Sequence, residues 1–556
     1  MHKPVFFTLL RSATIGLLSV VCVASHAATH YFNINGYTFD SNEKLVTFSN
    51  MIVEDGKVVS IGNTALGHGF PTAEQVDVGG KTLLPGLIDA HGHLLGLGAT
   101  LLEIDVRDAS SAEHAAKMTA QYYAQNPALE WVTGRGWNQV LWADNTFPNA
   151  QILDEQLQNV PVWLERVDGH AGWANSAALK LAGIDSNSVS PEGGKILTDD
   201  EGKPTGVLID TAMSLVERHI PTLDDSMRQR QLAAVGEHLL ALGITSMHDA
   251  GIDKATYDFY LASAKSNALP LRVYAMLSAS SPELGAMLDA GKVTREDDML
   301  LIRSVKAYGD GALGSRGAAL LQPYADDPHN HGLLVTPQEK LPALFDTVIG
   351  ADFALHFHAI GDRANRLALD HFAKTFETVG GKDLRHRIEH AQVIALDDIP
   401  RFKTLGIIPS MQPTHATSDK NMAQDRIGAE RLKGAYAWRT FLAQGSRLAF
   451  GSDFPVELAN PFFGLHAAVT RQDRNNQPVD GWVPSQALTI TEAFKAFTLD
   501  AAYAATQEDK IGRLQPGQWA DFIIVDQDIF AIDSQDIWKT NVLSTTIAGE
   551  KVFSTE

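Results

Sequence analysis

The sequence predicts an α/β protein: a (β/α)8 TIM-type barrel with a small β domain that both chain ends form together. In the middle of the chain, short apolar runs that end in polar residues alternate with long helical stretches, which is typical of a parallel sheet. The polar residues stand at the C-terminal ends of the predicted strands, the face that carries functional residues in such barrels. Residues 29–80 and the tail after 517 instead alternate apolar and polar residues between turn formers, which predicts antiparallel strands.

The first 27 residues predict a cleavable signal peptide. Lys3 and Arg11 precede an uncharged apolar run at 12–24, and small residues lie before a cut after Ala27. The run is shorter than the roughly 20 apolar residues that span a bilayer, although a retained anchor is the alternative. We therefore expect a periplasmic or secreted protein.

Charge and cysteine content exclude several classes of partner and chemistry. The chain has a net charge of −21, and removal of residues 1–27 takes away two positive charges, giving −23. This acidity favours solubility and argues against nucleic acid or an anionic membrane as a partner; a homodimer is compatible with it. The only cysteine, Cys22, lies in the signal segment, so the mature chain has no disulfide and no thiolate ligand.

The predicted domains follow from where the patterns change. We assign 28–84 and 506–556 to the two halves of the β domain and 85–505 to the barrel. A barrel needs only about 250 residues, so the excess, mostly at 100–240, predicts an insertion. We take the run 243–249 as barrel strand 3, which places this insertion between strands 1 and 3.

The segment His91-Gly92-His93 is the strongest local signal of chemistry. Residues i and i+2 of a strand point to the same side, so the two imidazoles can bind one metal ion. We interpret Gly92 as leaving the backbone room to approach that ion. The alternative is that two histidines simply cap a strand.

Further candidates for a metal site occur at later strand ends: Lys306, His358, His390 and Asp453. A lysine that closes an apolar strand is costly if it is charged and unpaired. It is therefore either half of a buried lysine–carboxylate pair or a carbamate, formed with carbon dioxide, that bridges two divalent ions. His356 shares a strand face with His358, but His358 lies nearer the C-terminal end and is the preferred ligand.

The ordered set resembles the amidohydrolase superfamily: His-X-His after strand 1, lysine after strand 4, single histidines after strands 5 and 6, and aspartate after strand 8. Several short sequence segments also resemble the family 3 branch, which includes N-substituted formamide deformylases. This resemblance extends over nearly all of 30–556. The matching segments are 134–138, 167–171, 310–316, 358–362 and 451–453.

The resemblance implies a role for each candidate residue and a β-sandwich for the domain at the chain ends. His91, His93, Lys306, His358, His390 and Asp453 would hold two divalent ions, expected to be zinc, with Lys306 N6-carboxylated. Asp453 would also be the catalytic proton shuttle. The implied substrate-binding residues are Arg135, Trp137, Asp168, His170 and Arg316, unless they only brace loops. We interpret His248 and Asp249 as pocket lining.

The expected reaction is hydrolysis of an amide, formamide or cyclic amide C–N bond in a small molecule. A bound ion makes hydroxide available at neutral pH, and Asp453 moves the proton to the leaving nitrogen. Two alternatives stay open: a mononuclear enzyme similar to N-acyl-D-amino-acid deacylases, and a catalytically inactive regulatory or binding protein on the same fold. Intact candidates at all six metal positions argue against the inactive alternative.

Overall fold

The computed structural model describes residues 28–64, 66, 69–127, 129–167, 169–191, 193–221 and 224–555. The predicted signal peptide at 1–27 and the candidate pocket residue Asp168 lie outside the described residues. Within these ranges, no helix is both long enough and apolar enough to cross a membrane.

Eight parallel strands form the predicted barrel, in the order in which they follow one another along the chain. The barrel closes between its first strand and the segment after its last strand, where Gly92 and Phe454 form a parallel bridge. The largest apolar core of the protein surrounds these strands. They are β1 (Leu87–Gly92), β2 (Ile244–Ile252), β3 (Arg272–Ser278), β4 (Leu300–Tyr308), β5 (Ala354–Ala359), β6 (Arg387–His390), β7 (Ile408–Met411) and β8 (Ala449–Phe450).

Helices connect the strands and pack against the barrel. The helix before β2 begins after Asp224, whose side chain accepts a hydrogen bond from Met227 N, and it buries Leu232, Val235 and Leu239 on one face. The helices of the barrel region are Leu94–Leu102, Asp225–Ala241, Lys254–Lys265, Leu284–Asp289, Leu341–Gly350, Asp362–Thr378, Ile399–Leu405, Pro413–Asp419, Ala423–Leu432, Trp438–Ala443, Pro461–Thr470, Ile490–Ala496 and Leu499–Ala504.

The predicted strand numbering is wrong at one place. The predicted run 243–249 falls on Ile244–Ile252, which is barrel strand 2 and not strand 3, because it pairs directly with β1. The true third strand, β3, is buried along its whole length and ends in Ser278. Its sequence carries no candidate ligand at the C-terminal end, so nothing marked it as a barrel strand.

A second sheet is inserted between β1 and β2. It has six strands, in the spatial order Gly194–Thr198, Pro204–Asp210, Ala171–Ala174, Val162–Arg166, Val132–Trp137 and Ile104–Asp105. Its helices are Ala112–Gln125, Ala150–Asp154, Ser176–Leu181 and Ser214–Glu217. Two apolar clusters, separate from that of the barrel, pack in this region.

Both chain ends contribute to the third sheet, as the sequence predicts. Phe522–Val525 pairs antiparallel with Thr82–Pro85, which joins the C-terminal strands to the N-terminal ones in one continuous sheet. This sheet has its own core, which includes Phe48, Met51 and Leu83. The other strands are Thr29–Phe39, Leu45–Glu54, Lys57–Gly62, Glu74–Asp77, Val542–Ile547 and Glu550–Ser554.

A buried ion pair joins this third sheet to the barrel. Arg272, at the start of β3, donates from Nε to Asp521 Oδ2 at 2.6 Å and from Nη2 to Asp521 Oδ1 at 3.0 Å. Both side chains are almost fully buried, and the Trp519 ring packs against the guanidinium group. If one partner is removed, little water can therefore reach the other to solvate its charge.

We expect Asp521→Ala to lower the free energy of unfolding by about 3–5 kcal/mol, because it leaves the Arg272 charge buried and unpaired. The matched control is Asp258→Ala, which breaks an exposed pair with Lys254 and should cost at most about 1 kcal/mol. Urea unfolding of both variants, followed by circular dichroism, measures the difference. Equal unfolding midpoints for the two variants would contradict the prediction.

Candidate metal centre

His91 and His93 lie at the end of β1, and a buried carboxylate fixes the orientation of the first. His91 Nδ1 is 2.6 Å from Glu389 Oε2 on β6, and both side chains are fully buried. Burial lowers the pKa of His91. Burial alone would raise the pKa of Glu389, but the adjacent His91 outweighs this effect, and the pKa of Glu389 is lowered. A neutral His91 therefore donates Nδ1–H to an ionised Glu389 and keeps its Nε2 lone pair for a ligand-binding role.

The glycine between these histidines packs against an aromatic ring. A Cβ at Gly92 would lie 2.6–2.8 Å from atoms of the Phe454 ring, so this packing favours glycine, and the predicted room for an ion stays a prediction. The contact brings the chain after β8 against the end of β1. The reason could not be read from the sequence, because Phe454 is remote along the chain.

A buried aspartate holds the ends of β1 and β8 together. Asp89 accepts hydrogen bonds from His91 N, Ser452 N and Ser452 Oγ. A Cβ at Gly451 would lie 2.5 Å from Asp89 Oδ1, so only glycine fits there. Asp453 N then donates to His91 O at 2.7 Å, and Asp453 adopts the left-handed conformation with φ = 63°. Such conformations in a non-glycine residue persist only where neighbouring contacts enforce them.

The Asp453 carboxylate lies between histidines on two sides. Its Oδ1 is 3.3 Å from His93 Nε2 and 3.6 Å from His91 Nε2, and its Oδ2 is 3.6 Å from His415 Nε2. Burial opposes ionisation of Asp453, but the adjacent His93 and the nearby His91 and His390 outweigh it, so its pKa lies well below the usual value. The carboxylate is therefore an anion at neutral pH.

His390 and His358 face the same space from β6 and β5. His390 Nδ1 is 2.8 Å from Gln412 Oε1, which leaves Nε2 for the centre, and the rings of His358 and His390 are 4.5 Å apart. Burial lowers the pKa of His358 to about 3 and that of His390 well below its usual value. His356 lies deeper, with Nδ1 3.2 Å from Met276 Sδ. Of the two β5 histidines, His358 is thus the one beside His390.

Lys306 reaches the centre from β4. Its Nζ is 3.5 Å from His91 Nε2 and 4.5 Å from the centroid of the Tyr308 ring, and the residue is buried. Among the residues that the structure describes, no carboxylate lies within ion-pair distance of this amine. The alternative of a buried lysine–carboxylate pair is therefore not observed.

Sequence reasoning missed two residues of this centre, Glu389 and His415. Glu389 directly precedes His390 in the sequence, and this adjacency was the one local signal, although it does not identify His91 as the partner. His415 lies in the helix Pro413–Asp419, just after β7, and thus on the same face of the barrel as the other candidates. The signal was its position four residues beyond a predicted strand end.

The candidate substrate residues lie in the inserted sheet and in the loop after β4. Trp137 is fully buried and donates from Nε1 to Leu164 O, which is the placement of a bracing residue. Arg135 contacts Val167 O, and Arg316 pairs with Asp326. The fourth, His170, pairs with Asp210. In the described chain no hydrogen bond or ion pair joins Arg135, Trp137 or Arg316 to the candidate ligands, and their contact with substrate stays a prediction.

His248 and Asp249 do not line an open pocket, which corrects the interpretation from the sequence. Both residues are buried. His248 Nδ1 is 3.0 Å from Arg387 Nη1, and Asp249 accepts hydrogen bonds from Tyr260 Oη and Leu94 N. They belong to the polar interior of the barrel, with Asp249 in register with Gly92.

The donor set fits a divalent ion. Metal ligands must be neutral imidazoles and ionised carboxylates, and burial together with the local charges produces these states at His91, His358, His390 and Asp453. His358 Nε2 is buried without a hydrogen-bond partner in the described structure and lies 3.6 Å from Asp310 Oδ1. His358 belongs to neither of the groups of donor atoms that lie within 4.8 Å of one another in the described chain, so its role as a ligand stays a prediction. Zinc binds this combination of nitrogen and oxygen readily.

We expect Glu389→Gln to weaken metal binding 10–100-fold, because the amide cannot hold the His91 tautomer as a carboxylate does. Competition with a chromophoric chelator measures the zinc dissociation constant. Glu430→Gln is the control, since the Glu430 carboxylate is exposed and pairs with the surface residue Lys433. Unchanged zinc affinity in a folded Glu389→Gln variant would show that this carboxylate does not support the ligand.

Comparison with known proteins agrees with this geometry. Residues 74–553 match the amidohydrolase family. The chain is 34% identical over 534 residues to the protein LONG AFTER FAR-RED 3 of Arabidopsis thaliana, covering 93% of this chain and 91% of the relative. It is 25% identical over 516 residues to the N-substituted formamide deformylase of Arthrobacter pascens, covering 90% and 94%.

A solved structure shares the whole architecture. The uncharacterized metal-dependent hydrolase from Pyrococcus horikoshii OT3 is 28% identical, with a TM-score of 0.78, and the match covers 91% of this chain and 99% of that one. The predicted family resemblance is confirmed. The chain belongs to the amidohydrolase family, in the branch that includes the formamide deformylase, and is a metal-dependent hydrolase.

Proposed function

We propose that this hydrolase cleaves an amide, formamide or cyclic amide C–N bond in a small molecule. The observation that carries the proposal is the ionised, buried Asp453, whose oxygens lie 3.3–3.6 Å from nitrogens of His91, His93 and His415. A carboxylate at this place can both help to hold an ion and exchange a proton with water. The name of the formamide deformylase supports the same bond class.

In the proposed mechanism Asp453 moves the proton. A divalent ion, when bound, would polarise the carbonyl group and lower the pKa of water to about 7. His91, His93, Lys306, His358, His390 and Asp453 would hold the metal, which we expect to be two zinc ions. Asp453 accepts a proton from the attacking water as the new C–O bond forms, and then delivers it to the nitrogen as the C–N bond breaks. Glu389 keeps His91 in the required tautomer.

We also propose that Lys306 is carboxylated. Its amine is buried beside His91 with no carboxylate partner in the described structure, and a buried ammonium group in that setting is costly. Reaction of Nζ with carbon dioxide, with loss of a proton, forms an N–C bond and converts the amine to an anionic carbamate. The anion would suit a site that holds cations.

We expect Lys306→Ala to lose metal and activity together, because it removes that anion. Added short carboxylic acids should restore a fraction of both, whereas they should not rescue His91→Ala. Metal content and rate are measured on the same samples, with the exposed Lys254→Ala as the control. A plain lysine turned away from bound metal in electron density would contradict the carbamate.

A substrate screen tests the proposed function. Purified zinc-loaded protein is incubated with N-formyl amines, N-acyl amino acids and cyclic amides, and release of amine is measured against Asp453→Asn. Turnover of one of these classes supports the proposal. A fully metal-loaded protein that turns over none of them would favour the inactive regulatory alternative, and one ion per active chain would favour the mononuclear one.

The proposed location is the periplasm or the cell exterior. It rests on the signal peptide predicted at 1–27, with Ala28 as the first mature residue. N-terminal sequencing of the exported protein tests it. A protein that retains residues 1–27 in the membrane fraction would favour the anchor.

A further inference from the structure

The Asp453 carboxylate presents its two oxygens to two different sets of histidines. Oδ1 is within 3.6 Å of His91 and His93 on β1, and Oδ2 is 3.6 Å from His415 on the far side. Two groups of donor atoms result, each within 4.8 Å: one of His91, His93 and Asp453, the other of His390, His415 and Asp453. We propose that the second group is a cation site of its own, and that His415 is its third ligand.

The separations match a shared ion better than direct contact. At 3.6 Å the His415 nitrogen and the Asp453 oxygen are too far apart for a hydrogen bond. Two ligands that each lie about 2.1 Å from one tetrahedral zinc ion are about 3.4 Å apart. The observed spacing is therefore close to the edge of a coordination tetrahedron.

The His415 ring is held in place and its donor atom is unused. Its Nε2 is buried and makes no hydrogen bond within the described structure. The ring lies parallel to that of His390, with centroids 5.9 Å apart and an interplanar angle of 18°. A buried nitrogen without a partner is energetically unfavourable, and binding to a cation would remove that cost.

The helix that carries His415 is anchored at both ends. At its start, Gln412 Oε1 accepts a hydrogen bond from His390 Nδ1, so one residue links the two ligands. At its end, Asp419 accepts from Tyr436 Oη at 2.6 Å and from Gln392 Nε2 at 2.9 Å. His415 is thus presented by a fixed element, as a metal ligand requires.

This inference rests on the proposed metal-dependent function but concerns ligation alone. If it holds, Asp453 would belong to both groups of ligands, and the helix after β7 would contribute to the centre. The second ion would then depend on His415 in addition to any contribution from Lys306. Ion binding, measured apart from turnover, can therefore test it.

The test titrates metal-free protein with Co²⁺, followed by calorimetry and by the visible absorption of the bound ion. Wild type should bind two equivalents and His415→Ala one. His415→Glu, whose carboxylate has a similar reach, should recover the second equivalent, which a residue that only packs would not do. His329→Ala, at an exposed histidine, is the control and should bind two.

Two equivalents with wild-type affinity and spectrum in His415→Ala would overturn the ligand role. A zinc-loaded crystal structure provides a test without a variant: Nε2 of His415 should lie about 2.0–2.1 Å from an ion, and a distance beyond about 3 Å would also overturn it. Two bound ions without turnover of any amide would refute the proposed function and leave His415 as a ligand. Amide turnover together with two bound ions in His415→Ala would support the proposed function and refute the ligand role of His415.

Discussion

Asp453→Asn should lower kcat by 10²–10⁴-fold at saturating zinc, the range typical of general acid–base catalysis. The amide cannot take up a proton near neutral pH, so both proton transfers of the proposed mechanism are lost. The side chain keeps its size and one oxygen, and the histidines remain, so most of the metal should stay bound. Rate and metal content are measured on the same preparation.

The control for this variant is Asp258→Asn, since that carboxylate is exposed and pairs only with Lys254. It should leave kcat unchanged. The proton-shuttle assignment fails if Asp453→Asn keeps its metal and also keeps more than about a tenth of the wild-type kcat. Such a loss, of less than about 10-fold, would be smaller than the low end of the expected range. Loss of metal together with rate would instead show that ligation is the dominant role of this carboxylate.

The double variant His91→Ala with His93→Ala should lose at least one of two divalent ions and, with it, all activity above background. Both rings belong to the group that surrounds Asp453 Oδ1, and no other described histidine contacts that oxygen. Elemental analysis gives the metal content per chain. The matched control replaces two exposed histidines, His329→Ala with His331→Ala, and should keep both ions.

An active wild-type enzyme that contains no metal would refute this prediction and the mechanism with it. A double variant that keeps both ions but loses activity would place the ions elsewhere. In that case His390, His415 and Asp453 would be the remaining group of donor atoms in the described chain.

The sequence predicts the barrel and several residues of its metal centre because both follow from the order of the strands along the chain. In a parallel barrel every strand ends on the same face, so a polar residue at a strand end can be placed without knowledge of its contacts. His91, His390 and Asp453 do lie together, as this rule requires. β3 escaped detection because it has no such residue.

The missed features depend on contacts between distant parts of the chain. Glu389 is 298 residues from its partner His91, and only the closed barrel brings them together. Gly92 packs closely against Phe454, a contact that the sequence alone does not reveal. His415 lies on a helix and not at a strand end, so the strand rule does not apply to it.

The sheet that both chain ends form cannot be completed until the C-terminal strands have been synthesised. Asn35 Nδ2 donates to Asp528 Oδ2 across 493 residues, and Thr82–Pro85 gains its C-terminal neighbour only when Phe522–Val525 exists. At about 5–20 residues per second, translation of that span takes roughly 25–100 s. An open strand edge invites pairing with other chains. One edge of Thr82–Pro85 therefore lacks its native partner until Phe522–Val525 has been made.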